Sequence, residues 1–143
     1  MRARHLPSLA TALLLFAGCS ADKAEVSGTV RLDGTLIEEG SINFIPVGGT
    51  TGPGAGAVIT NGKYHIAPST GVTVGKNRVE LRAFKTTGRK VIDPTGRPGT
   101  FTQERVPAFP PEYNDDSKLV EEIHQGSNTL DFDIPAPKPA KGS

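Results

Sequence analysis

Along most of this chain apolar and polar side chains alternate with a period of two, interrupted about every ten residues by turn chemistry. Ala24–Leu32 places Val26, Gly28, Val30 and Leu32 on one face and Glu25, Ser27, Thr29 and Arg31 on the other. A side-chain period of two belongs to a strand with one buried face. Asp33-Gly34 follows, a pair that tolerates positive φ. Ser41–Pro46 repeats the pattern, with Ile42, Phe44 and Pro46 against Ser41, Asn43 and Ile45. Pro46 lacks a ladder donor and belongs at a strand end or edge. Ala57–Thr60 and Lys63–Ala67 flank Asn61-Gly62, the strongest short-range hairpin signal here. Val58 with Thr60, and Tyr64 with Ile66, each line one face of these two strands. Asn77–Phe84 alternates again, with Val79, Leu81 and Ala83 inward, and Asn128–Ile134 sets Leu130, Phe132 and Ile134 against Asp131 and Asp133.

Ser117–His124 fits two patterns. Leu119, Val120 and Ile123 suit a helical stripe, whereas Leu119, Glu121 and Ile123 suit a strand. No capping box precedes the segment and Gln125-Gly126 follows, so it is read as a strand. The 17 glycines and 12 prolines among 143 residues favour turns over long helices. About seven short strands with regular turns predict an all-β chain, a single antiparallel β-sandwich over residues 24–134. Val47–Gly56, with five glycines and a proline, is expected to be a flexible loop. The turn-rich stretch Lys85–Val106 reads as structureless, and the PAPKPAKGS tail at 135–143 as extended and mobile.

Residues 1–18 obey a different grammar. Arg2, Arg4 and His5 make a basic start, and Leu9–Ala17 is apolar except for Thr11. That run is about nine residues, well short of the ~20 that span a bilayer, and is read as a secretory signal helix that is cleaved. The sole cysteine, Cys19, follows Phe16-Ala17-Gly18 directly. This arrangement resembles the bacterial lipoprotein signal, except that Phe16 stands where a Leu is usual. The resemblance implies diacylglyceryl transfer to the Cys19 thiol, palmitate-type acylation, and a linker over residues 19–23. Ser20, in place of an Asp, then fits the outer membrane. One cysteine excludes an internal disulfide and a cysteine zinc cage. The whole chain carries 16 Lys+Arg against 15 Asp+Glu; loss of Arg2 and Arg4 leaves 14 against 15, a net charge of −1. No basic excess remains to neutralise nucleic-acid phosphates.

Four candidate chemistries arise. Hydrolysis needs a nucleophile, a base and an orienter; no G-x-S-x-G elbow exists, and His65 and His124 read as solvated side chains, His65 facing outward. Gly48–Gly56 lacks the Gly-Lys-Ser/Thr and the helix that a phosphate-cradling P-loop needs. Glu112, Asn114, Asp115 and Asp116 form the densest oxygen-ligand cluster, a weak candidate for Ca²⁺, set against a solvated acidic turn. Lys85, Arg89, Lys90, Arg97 and Arg105 make one segment basic, with Phe84, Phe101 and Phe109 near its ends. It is the best ligand-contact candidate, for anionic surface polymer or lipid headgroups, set against a solubilising loop.

Several stretches stand together in order: Val26-Ser27-Gly28-Thr29-Val30, Asp33-Gly34, Gly40–Pro46, Asn61-Gly62-Lys63-Tyr64, Gly75–Val79, Pro111-Glu112-Tyr113-Asn114 and Gly126–Phe132. Together they resemble the carboxypeptidase regulatory-like, transthyretin-like β-sandwich domains of small bacterial lipoproteins. The resemblance implies an accessory or adhesive module and transfers no catalytic residue and no cofactor. The expectation is therefore a non-enzymatic lipoprotein of the cell envelope, held on the outer membrane or periplasmic face, with an envelope protein or glycan as partner. A carbohydrate- or protein-recognition domain is the alternative and a hydrolase the less favoured one. Tyr64 and Tyr113 with no Trp make a poor sugar platform.

Overall fold

The computed structural model describes residues 23–137. The expected signal segment, Cys19, Ser20 and residues 138–143 of the tail lie outside the described residues. The described chain is all-β: 58% of it is strand, with no α-helix. Its strands are β1 (Lys23–Leu32), β2 (Thr35–Leu36), β3 (Glu39–Pro46), β4 (Ala55–Thr60), β5 (Lys63–Ile66), β6 (Val72–Thr73), β7 (Gly75–Ile92), β8 (Phe101–Pro107), β9 (Val120–Ile123), β10 (Ser127–Thr129) and β11 (Phe132–Ile134). Single 3₁₀ turns occupy Pro68–Thr70 and Pro111–Tyr113.

The strands join one curled sheet in the order β10-β1-β5-β4-β3-β7-β8. Alternation decides which face is inside. Val26 and Val30 of β1, Tyr64 and Ile66 of β5, Ile42 and Phe44 of β3 and Val79 and Leu81 of β7 are buried in one cluster with Phe132 and Ile134. Each such side chain contributes about 1.5–3 kcal/mol by leaving water. Both expected turn pairs form: Asp33 and Gly34 have φ +51° and +77°, Asn61 and Gly62 +49° and +75°. Two consecutive positive φ values are what a two-residue hairpin of the right twist requires. Ser117–His124 does form a strand, β9, which pairs with the start of β7.

The purely antiparallel expectation is corrected at the C-terminus, where β10 and β11 both run parallel to β1. Topology is the reason. Four successive antiparallel pairings separate β1 from β7, so these two strands run the same way. β9 is antiparallel to β7, and a single reversal at Gln125-Gly126 then sends β10 along β1. The parallel strand is broken at Leu130-Asp131, opposite Gly28 and Thr29. There the Leu130 carbonyl turns inward over Gly28 and accepts the Tyr64 hydroxyl at 2.8 Å. Asp131 Oδ1 accepts the Thr29 amide at 2.7 Å and its hydroxyl at 2.8 Å, which holds the Asp131 carboxyl below the usual carboxylate range. Burial pushes the Tyr64 phenol up.

The glycine-rich 47–56 stretch is more tied down than its composition predicts. The Val47 amide donates to the Lys76 carbonyl at 2.9 Å, the Lys76 amide to Thr50 Oγ1 at 2.9 Å, and the Thr73 hydroxyl to the Pro53 carbonyl at 3.1 Å.

Candidate functional site

The stretch expected to be structureless, Lys85–Val106, is instead a β-ribbon. β7 runs past the body, and β8 returns along it from Phe84 opposite Pro107 to Ile92 opposite Phe101. The register shifts between Thr86 and Lys90, where Gly88 takes φ +79°. The tip is closed by a turn at Asp93, whose Oδ1 accepts the amide and the hydroxyl of Thr95, each at 2.9 Å. Those two bonds hold its carboxyl low. No residue from Phe84 to Pro107 is buried. At about 3.3 Å per residue, the span from Phe84 to Ile92 projects roughly 25 Å.

Pairing sorts the ribbon's side chains. Residues opposite each other in a ladder share a face, and every second residue along a strand returns to it. Phe84, Thr86, Lys90 and Ile92 of β7 therefore share a face with Phe101, Gln103, Arg105 and Pro107 of β8. Phe84, Ile92 and Phe101 are 58%, 70% and 64% exposed, so this face sets three large apolar side chains in water among Lys90, Gln103 and Arg105. The Arg105 guanidinium lies 5.4 Å from the Phe84 ring centroid, a cation–π contact that orients it. On the other face, Thr87 and Arg89 both engage Glu104, the Thr87 hydroxyl at 2.8 Å, and these bonds keep its carboxyl low. Lys85, Lys90, Arg97 and Arg105 form no ion pair among the described residues. Residues 85–107 hold five cations and two acids, a net charge of +3, whereas the rest of the chain after Gly18 holds nine against thirteen.

The ribbon leaves one defined end of the body. Lys23, where the described chain begins, pairs with Thr73 near the start of β7. At the opposite end of β1, Leu32 lines a groove with Leu36, Phe84, Lys85 and Arg105. The tip therefore points away from the Lys23 end of the body.

The other candidates are placed as follows. Asp115 pairs with Arg82 at 2.6 Å, and Arg82 also reaches Glu80, 3.2 Å away and nearly buried. Glu112 sits in the Pro111–Tyr113 turn, Asn114 Oδ1 accepts the Asp115 amide, and the Asp116 amide donates to the Pro111 carbonyl at 3.1 Å. Among the described residues no three His, Cys, Asp or Glu side chains converge to hold a metal ion. His65 faces outward, its Nε2 2.7 Å from Glu25 Oε1, while the Ser127 hydroxyl donates to Glu25 Oε2 at 2.7 Å. The carboxylate thus lies between hydroxyl and imidazole, the reverse of a nucleophile–base order. The Ser127 and His65 bonds hold the Glu25 carboxyl low. The His124 amide donates to Asn128 Oδ1 at 3.0 Å. Phe109 is a core residue and belongs to no contact surface. Ile92 was not among the expected contact residues; only its cross-strand partner Phe101 reveals its part.

Comparison with family models, with curated proteins and with solved structures gives no match.

Proposed function

We propose that the chain is an exported, lipid-anchored and non-enzymatic binding module of the cell envelope. The body is a sandwich of the carboxypeptidase regulatory-like type, and the β7–β8 ribbon is its contact element. The observation that carries this reading is the ribbon itself. A folded chain gains nothing in stability from apolar side chains left in water, so Phe84, Ile92 and Phe101 on one wet face with Lys90 and Arg105 point to a partner. The sandwich reading is supported by side chains of β1 and β5 meeting those of β3 and β7 in one core. The tether reading is supported by the lone Cys19 directly after the apolar run. Acyl chains add about 0.8 kcal/mol per buried CH₂, enough in combination for stable anchoring. Radiolabelled palmitate is expected to enter the wild-type chain in a bacterial host and not Cys19→Ala. Equal label in both removes the anchor.

A further inference from the structure

We propose that the ribbon docks on an anionic lipid bilayer, with Ile92 and Phe101 entering the interface while Lys90, Arg97 and Arg105 meet headgroup phosphates. This deepens the binding reading of the same ribbon and does not depend on acylation of Cys19.

Three observations select this occupant. The first is the order of side chains along one face. Ile92 and Phe101 are the last pair of the ladder before the 93–100 turn, which carries Arg97; Lys90 stands one step behind them on the same face, and Arg105 with Phe84 lies at the base. Exposed apolar side chains on one face, with cations before and after them along the ribbon, suit the boundary of a bilayer, where apolar groups enter the acyl layer and cations reach the phosphates. The second is charge. A ribbon at +3 on a chain whose other residues after Gly18 hold four more acids than cations is drawn to an anionic surface ahead of the rest of the molecule. The third is the chemistry of that face. A polyanionic glycan would use the cations and leave Ile92, 70% exposed, without a role, and stacking on sugar favours Trp or Tyr over the Phe found here.

The chain has no Trp, so Phe101→Trp supplies a single reporter at an exposed position. The full chain carrying Phe101→Trp and Cys19→Ala is mixed with vesicles of phosphatidylglycerol or of phosphatidylcholine alone. The expected result is a blue-shifted indole emission, quenched by brominated acyl chains, on the anionic vesicles only. Each cation near an anionic surface is worth about 1 kcal/mol, so adding Lys90→Glu and Arg105→Glu should weaken binding to the anionic vesicles roughly 30-fold or more, read from the lipid concentration at half-maximal shift. Three results would overturn the proposal: unchanged emission on both vesicles, equal shifts on both, or a shift with soluble polyphosphate and none with vesicles. Palmitate labelling of Cys19 is read separately, so loss of the tether and loss of tip docking are distinguishable.

Discussion

Replacing Gly28 with Ala is expected to lower the unfolding free energy by about 4 kcal/mol, at the severe end for a single methyl group. A Cβ at this position would overlap the carbonyl of Leu130, which is backbone and has little room to give. If the carbonyl moved, it would strain the Tyr64 hydroxyl bond at 2.8 Å and the bond from the Leu130 amide to the Ser27 carbonyl at 2.9 Å. The Thr29–Asp131 pair next to it would be displaced as well. The chain break that turns β10 into β11 is therefore built around an absent side chain. Urea or thermal unfolding checks this, with a drop in Tm of roughly 15 °C. Ser27→Ala, one residue away on the outer face, should stay within about 0.5 kcal/mol of wild type.

Phe44→Ala is the second large effect, a loss of about 3–5 kcal/mol. Phe44 is 0% exposed and lies opposite Ala55 on β4 and Val79 on β7. Its ring centroid is 6.3 Å from that of Tyr64, which in turn is 6.5 Å from Phe132. That row of rings ties the β3 side of the curled sheet to the β1 side, so truncating its first member leaves a cavity in the middle of the core. Phe44→Leu should recover most of the loss, because volume matters more here than aromaticity. Equilibrium denaturation of the two variants side by side reads both numbers.

The strands that the sequence reveals are those with one wet face and one dry. Val26 and Val30, Ile42 and Phe44, and Val79 and Leu81 alternate with polar neighbours because only one face of each strand enters the core. The ribbon has no dry face, so Lys85-Thr86-Thr87-Gly88-Arg89-Lys90 shows no period of two, and its glycines and prolines resemble plain loop chemistry. The same cause hid Ile92, whose significance lies in its partner across the ladder and not in its neighbours along the chain. The basic character of Lys85, Arg89, Lys90, Arg97 and Arg105 was legible, since charge needs no geometry to be counted. What no local pattern could reveal is that Arg89 is matched by Glu104 while Lys90 and Arg105 share a face with Phe101. The parallel course of β10 follows from a count of reversals across the whole sheet. The fastening of 47–56 depends on Thr73 and Lys76, twenty or more residues further on.

The β body should stand without the ribbon, and excision decides this: in the full chain, Thr86–Arg105 is replaced by Asn-Gly, which closes β7 onto β8 by a two-residue hairpin turn. Because no residue in that stretch is buried, thermal unfolding followed by circular dichroism should remain cooperative, with Tm within about 5 °C of wild type. Loss of the cooperative transition on removal of the ribbon would show instead that the body depends on it for its fold.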